Sequence, residues 1–379
     1  MFLENIEISE TNFCNDYTRK NWIYIYQEYL QEKTKNHAGY PYNLNYDYSD
    51  LLNLFKFSIN NLGDPFVESN YKIHSRFFEQ EVLAFFAKLY QANNWWGYIT
   101  NNGTEGNLYG LLLGRESYPD GILYASADSH YSVAKASRFF KIPHICVKSQ
   151  SNGEMDYTDF QSKLEPNFPA IINLNVGTTL KGAVDNLDRI LEVLEAKAIK
   201  KYYIHCDGAL GGMLIPYLEP EWISFQRSIH SLAISGHKFI GCPFPCGIVL
   251  THKALVEKLS SSIEYIGSND TTIGGSRNGH APLFLYHAIQ QRQYLFKQEV
   301  WECVDKATYL YNQLKQAGLY CLLNPYSTTV VFPQPKAATT QKWQLATQGN
   351  LAHVVVMQNH SYELLDILCT DLLENQVQL

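Results

Sequence analysis

Short apolar runs that alternate with helical stretches constrain this chain more than any other feature. ILYAS at 122–126, HICVK at 144–148, AIINLN at 170–175, YYIHCD at 202–207, SLAIS at 231–235 and GIVLT at 247–251 each read as a strand. Gly97–Thr100 reads as the end of another. Helical spacing of apolar residues is seen between or before them at 21–33, 76–91, 104–116, 130–140 and 185–198. Strands alternating with helices predict a mostly parallel sheet with helices on both faces, an α/β fold. From about 283 the pattern changes to a long helical stretch reaching 317, strand candidates at 328–333 and 352–357, and a last helix at 361–374. The expected division is an N-terminal arm and helix (1–55), a large α/β domain (56–285) and a small α+β domain (286–379).

Composition narrows the function. The 379 residues are 46% apolar and 18% charged, as in a globular protein with a sizeable core. A formal charge of −7 argues against nucleic-acid binding, which needs a basic stripe. No apolar run approaches the ~18 residues of a membrane span. The first ten residues, MFLENIEISE, lack the basic start of a signal peptide, and eight scattered cysteines suit a reduced, cytoplasmic chain. Cys242 and Cys246 bracket CPFPC, but no second ligand pair stands nearby, so buried thiols are expected there and no metal site. Tyrosine is abundant, with 27 residues, which suits large interfaces and polar pockets.

In an open parallel sheet, ligands bind at the carboxyl ends of strands. Four polar clusters fall at such ends: Asn101–Asn107, Gly177–Thr179, Asp207 and Ser235–Lys238. Lys238 follows a strand and has apolar neighbours Ile234, Phe239 and Ile240. Lost hydration there lowers a lysine's pKa and makes it a nucleophile toward a carbonyl. Taken alone, a surface lysine with a buried stem would read the same way. Asp207 ends an apolar strand, where a carboxylate is costly to bury unpaired. A pyridinium nitrogen would pair it, and so would service as an N-cap. NNGTEGN opens a helix, where Thr104 and the amide of Glu105 could hold an anion, with Ser235 and His237 completing the cup. His130 stands at another helix start, where its ring could stack on a cofactor or simply cap the helix.

These residues sit in runs similar to those of the group II amino-acid decarboxylases that use pyridoxal 5'-phosphate (PLP), in the branch of the plant serine and bacterial histidine decarboxylases. The matching runs include WWGYITNNGTEGNLYGLLLGRESYPDGILYAS, DSHYSVAKASR, NVGTTLKGAVDNLD, YYIHCDGALGGMLIP and SGHKFIGCPFPCGI, and the match spans 55 to about 285. The resemblance implies PLP fold type I, the fold of aspartate aminotransferase, and a homodimer with a shared active site. It implies that Lys238 carries the cofactor as a Schiff base, and that Asp207 pairs the pyridine nitrogen. Ala209 would lie under one ring face and His130 over the other. Thr104, Glu105, Ser235 and His237 would hold the phosphate, with Thr178 or Thr179 close by. The loop at 263–274 would be mobile and reach the neighbouring subunit, with Thr272 a phosphate contact. The implied reaction is decarboxylation of a small L-amino acid, histidine or serine foremost. An aliphatic substrate such as leucine, or oxidative deamination or transamination on the same scaffold, remains an alternative. Substrate choice is expected to lie in 38–48, 60–75 and 263–274, with Tyr40, Tyr42, Asn60, Asn61 and Asn70 as candidate polar contacts.

Overall fold

A computed structural model describes residues 16–375. Cys14 and the first ten residues, on which the reading of the N-terminus rests, lie outside the described residues.

The chain opens with α1 (Asp16–Thr34), a 3-10 turn (Ser49–Lys56) and α2 (Arg76–Leu89). Then follow β1 (Trp95–Thr100), α3 (Gly103–Ser117), β2 (Ile122–Ser126), α4 (Ser132–Phe140), β3 (His144–Val147), α5 (Tyr157–Lys163), β4 (Ala170–Asn175), α6 (Leu187–Ala196) and β5 (Tyr202–Asp207). After a short α7 (Ile215–Leu218) come β6 (Ser231–Ser235), β7 (Gly247–His252), a short α8 (Lys253–Val256) and the hairpin β8 (Ser261–Ile263) and β9 (Ser268–Asp270). The C-terminal part is α9 (His280–Arg292), α10 (Phe296–Gln316), β10 (Leu322–Leu323), β11 (Thr329–Pro333), α11 (Ala337–Lys342), β12 (Ala346–Gln348), β13 (Leu351–Val355) and α12 (Tyr362–Glu374).

Seven strands form the main sheet in the order β1-β7-β6-β5-β4-β2-β3. Only β7 runs against the rest, pairing antiparallel with both β6 and β1. The link from Ser235 to Gly247 is too short for a crossover helix, so the chain returns antiparallel. β2 lies between β3 and β4, so the chain reverses its direction across the sheet there. This is a switch point, and open α/β sheets bind ligands at such points, beyond the carboxyl ends of their strands. A second, antiparallel sheet has the order β10-β11-β13-β12.

Two hydrophobic cores bear on the site. The larger packs Leu174, Ile204, Leu232 and Ile234 of the main sheet against α2, α6 and α9. The other gathers Val330, Phe332, Val354, Leu365 and Leu368 around Trp343. α10 joins them: Phe296, Val300 and Cys303 enter the first core, and Ala307, Leu310 and Leu314 the second. The segment after α1 also crosses over, since Ala38 is buried in the second core while Asn43 accompanies the Lys238 turn.

The long stretch read as one helix over 283–317 is two, parted at residues 293–295. The sequence pattern gives no warning of α5, whose seven residues are mostly polar, or of the β8–β9 hairpin. No helix among the described residues is long and apolar enough to cross a membrane. Cys242 and Cys246 are buried free thiols.

Candidate active site

The carboxyl ends of β1, β4, β5 and β6 bring the four polar clusters to one edge of the sheet. At β6 the chain turns sharply through Gly236. A Cβ there would meet Cys246 Sγ at 2.7 Å and Leu285 Cδ2 at 2.8 Å, so no larger residue fits without displacement. The turn is closed by Gly236 N–H donating to the Cys246 carbonyl at 3.0 Å. His237 Nδ1 lies 2.9 Å from the same carbonyl oxygen. Lys238 emerges next. It is partly exposed as a residue. Burial pulls its pKa down, and the negative charge of Asp207 pushes back up. An amine that gives up its proton more readily is a better nucleophile.

Asp207 is buried at the end of β5. Its Oδ2 accepts from Asn107 Nδ2 at 2.7 Å, and its Oδ1 from the Ala209 N–H at 3.2 Å. Asn107 Nδ2 also donates to Ser132 Oγ at 2.9 Å, and that hydroxyl lies 2.8 Å from His130 Nδ1. His130 and Asp207 therefore share one network. Burial lowers the His130 pKa; Asp207 raises it, while Lys238 and Lys135 lower it further.

The N-terminus of α3 stands at the same edge. Asn102 caps the helix, its Oδ1 accepting the Glu105 N–H at 2.9 Å. The amides of Gly103 and Thr104, in the first turn, have no acceptor within the helix. Ser235 stands directly against them: a Cβ on Gly103 would lie 2.3 Å from Ser235 Oγ. The Glu105 amide is thus engaged by Asn102. Its buried carboxylate accepts from Tyr98 OH at 3.0 Å and from Asn101 Nδ2 at 2.8 Å. Thr178 is buried with its Oγ1 accepting from the Ala183 N–H at 3.0 Å, while Thr179 is exposed. Thr272 turns its hydroxyl to the Gly274 carbonyl of its own loop at 2.9 Å. That loop is tied to its own chain through Tyr109, whose OH donates to the Thr271 carbonyl at 2.7 Å.

A model of the pyridoxal-dependent decarboxylase conserved domain matches residues 118–333. The chain is 52% identical to serine decarboxylase 1 of Oryza sativa subsp. japonica over 361 residues, 93% of this chain and 75% of that protein. The chain belongs to the pyridoxal-dependent decarboxylase family. Histidine decarboxylase of Solanum lycopersicum is 44% identical, over 93% of this chain and 87% of that protein. The L-methionine decarboxylase from Streptomyces sp.590 superposes with a TM-score of 0.85 at 26% identity, covering 97% of this chain and 99% of that one. The family, the fold type I architecture and the PLP-dependent decarboxylation of an amino acid expected from the sequence are borne out by these likenesses.

The site fits the cofactor of a pyridoxal-dependent decarboxylase. It offers a lysine of lowered pKa near a buried carboxylate, and a helix N-terminus with the Ser235 hydroxyl set directly against Gly103. Sequence reasoning missed several residues that hold this edge together. Asn107, Ser132 and His205 form the network behind Asp207 and His130. The signals were a polar residue among the glycines of α3 and a histidine inside an apolar strand. Asn43 was missed as well; its N–H donates to the Lys238 carbonyl at 3.2 Å, and beside it Tyr42 packs its ring 5.8 Å from that of His237. The asparagines of 60–70 are engaged elsewhere in this chain. Asn61 binds Glu79 and Ser75, Asn60 binds Ser276 and Arg277, and Asn70 binds Ile266 and Tyr265.

Proposed function

We propose that this decarboxylase acts on a small polar L-amino acid, serine or histidine, with Lys238 as the residue that carries the cofactor. The observation that carries this reading is the convergence of Lys238, Asp207, His130 and the α3 N-terminus on one edge of the sheet. The names of the relatives support serine and histidine, and Tyr40 and Tyr42, stacked on each other with Tyr42 beside His237, supply hydroxyls for such a side chain.

Bound PLP supplies the electron sink for the bond between Cα and the departing carboxylate. The protein's residues do the rest. Lys238, whose amine burial makes more nucleophilic, would hold the cofactor and orient it toward the substrate amine. Asp207 keeps a proton on the ring nitrogen. The amides of Gly103 and Thr104, with Ser235 and His237, hold the phosphate, and Glu105, Thr178 and Thr272 stand around that end. Ala209 and His130 would pack against the ring. In this reading two subunits form a homodimer, the protein works in the cytoplasm, and the chain divides into an arm (1–55), a PLP-binding domain (56–285) and a small domain (286–379).

Two measurements test the proposal. Borohydride reduction of the holoenzyme is expected to fix the cofactor on the peptide containing Lys238, and Lys238→Ala is expected to lose turnover entirely; an adduct on another lysine rejects the assignment. Amine release from L-serine, L-histidine, L-leucine and L-phenylalanine decides the substrate class. A polar pocket should discriminate by ~10⁴-fold against analogues that leave its groups unpaired, and an apolar one by only about 10–200-fold. Leucine winning by a wide margin would reject the polar pocket and leave the decarboxylase reading intact.

A further inference from the structure

Behind Asp207 lies a chain of hydrogen bonds that no part of the mechanism above uses. Asn107 is its hub, almost wholly buried. It touches Asp207, Ser132 and His205, at 2.7, 2.9 and 3.1 Å. His205 is fully buried and continues through its Nδ1 to Ser231 Oγ at 2.8 Å, where Tyr203 OH also binds at 2.8 Å.

The direction of each bond can be deduced. A carboxylate at Asp207 only accepts, so the Asn107 group facing it is the NH₂, and Oδ1 faces His205. An amide oxygen also only accepts, so His205 carries a proton on Nε2. Burial drives the His205 pKa down to about 4, so the ring is neutral and its Nδ1 accepts. The Ser231 hydroxyl donates to that nitrogen, and Tyr203 OH donates to Ser231. On the other side, the second N–H of Asn107 donates to Ser132 Oγ. The Ser132 proton is then directed to His130 Nδ1. The Ser132 backbone N–H points at the same nitrogen from 3.3 Å, and it would oppose a proton there. With Nδ1 accepting, a neutral His130 keeps its proton on Nε2.

We propose that Asn107 is a positioning residue that, through Ser132, fixes His130 as the tautomer protonated on Nε2, with the ionised Asp207 setting the direction of the whole chain. The chain makes the acid and the imidazole interdependent. His130 presents an N–H donor rather than a lone pair to whatever lies against its Nε2, a direction that Asn107 and the Ser132 backbone N–H both favour. The charged groups acting on His130 are Asp207, Lys238 and Lys135, and the Tyr131 ring packs 4.0 Å from its own. The inference builds on the placement of Asp207 and His130 at the cofactor, but the tautomer can be read independently of that placement.

The test is nitrogen-15 NMR on holoenzyme with ring-labelled histidine, with His130 assigned by its loss in His130→Gln. The expected wild-type signature is an unprotonated Nδ1 and a protonated Nε2. Ser132→Ala removes the closer of the two donors on His130 Nδ1 and leaves the backbone N–H at 3.3 Å, so the fraction protonated on Nδ1 should rise, with kcat lower by roughly tenfold or more and KM within about threefold. Asn107→Leu should do the same. A wild-type His130 protonated on Nδ1, or a tautomer ratio unchanged in Ser132→Ala, overturns the proposal. If Asn107→Leu folds and leaves the ratio unchanged, Asn107 is not the hub. If Asn107→Leu does not fold, Ser132→Ala decides alone. Borohydride fixing the cofactor on another lysine would reject the site assignment while leaving the tautomer result standing, so the two failures are distinguishable.

Discussion

Lys238 and Asp185 show two outcomes of burying a titratable group. Lys238 has Asp207 nearby, and its lowered pKa would serve as reactivity in the function proposed above. Asp185 is fully buried and holds only N–H donors: Met155 N–H at 2.8 Å on one oxygen, and Asn175 N–H and Nδ2, both at 2.8 Å, on the other. Burial pushes its carboxyl from 3.8 up to about 7, against the pull of those bonds. The folded pKa is thus raised above the unfolded one. The resulting stability is fully present below pH ~4, and is lost as pH rises toward 7. By the usual 1.4 kcal/mol per pKa unit, Asp185 alone withdraws up to about 4 kcal/mol over that range. Asp185→Asn does not titrate, but its NH₂ opposes one of the three donors, so it starts less stable in acid. The unfolding midpoints of the two proteins should therefore differ most near pH 5 and draw together by pH 8. Parallel midpoint curves from pH 5 to 8 would refute this account. Asn175 also donates to Ser126 and Ser129 at 3.0 Å, so the turn that leads into His130 rests on the same group.

α3 shows at the level of an element how the site is built. Gly106, Gly110 and Gly114 repeat every four residues and put one bare face of the helix on the sheet. A Cβ would lie 3.0 Å from Ala233 Cβ at Gly106, 2.1 Å from His205 Nδ1 at Gly110, and 2.9 Å from Tyr203 Cδ1 at Gly114. Gly110→Ala should push His205 off Asn107 and cost about 1–3 kcal/mol of stability, with a loss of activity beyond what that destabilisation explains. Gly275→Ala, whose Cβ would meet nothing within 4 Å, is the control. Equal effects of the two substitutions on stability and turnover would sink the argument. The same helix marks what the sequence makes legible. β2, β4, β5 and β6 begin and end where their apolar runs do, because a strand covered on both faces needs apolar residues throughout. The clusters at their ends were legible for the same reason. The reversed β7 was not, since direction depends on the length and packing of the link before it. Nor was the Asn107 hub, because its bonds to Asp207 and His205 join residues about a hundred positions apart, and a sequence shows only that both are polar.

On the scale of the whole molecule, the distribution of exposed apolar groups argues for a second copy of the chain. On α1, Trp22, Ile23, Tyr24, Tyr26 and Leu30 are all exposed, Ile23 to 73%. Leu52, Phe55, Phe57 and Ile73 are exposed across the segment that leads into α2, and Phe77 in its first turn. A monomer rarely presents so many large apolar side chains to water, and a surface of this kind marks an interface. An arm such as α1, with little of its surface covered by its own chain, gains most from packing on a partner. We therefore expect full-length protein to sediment as a dimer at micromolar concentration. Removing residues 1–35 should shift it toward monomer and lower turnover by tenfold or more, because the segment beginning at Ala38 leads directly to Asn43 on the Lys238 turn. Specific activity should also fall on dilution more steeply for the truncated chain than for the full one, since a weakened dimer dissociates at higher concentration. Full-length protein that sediments as a fully active monomer would defeat the dimer. A truncated chain that stays dimeric and active would instead defeat the role given to α1, leaving the exposed 52–77 face to carry the interface.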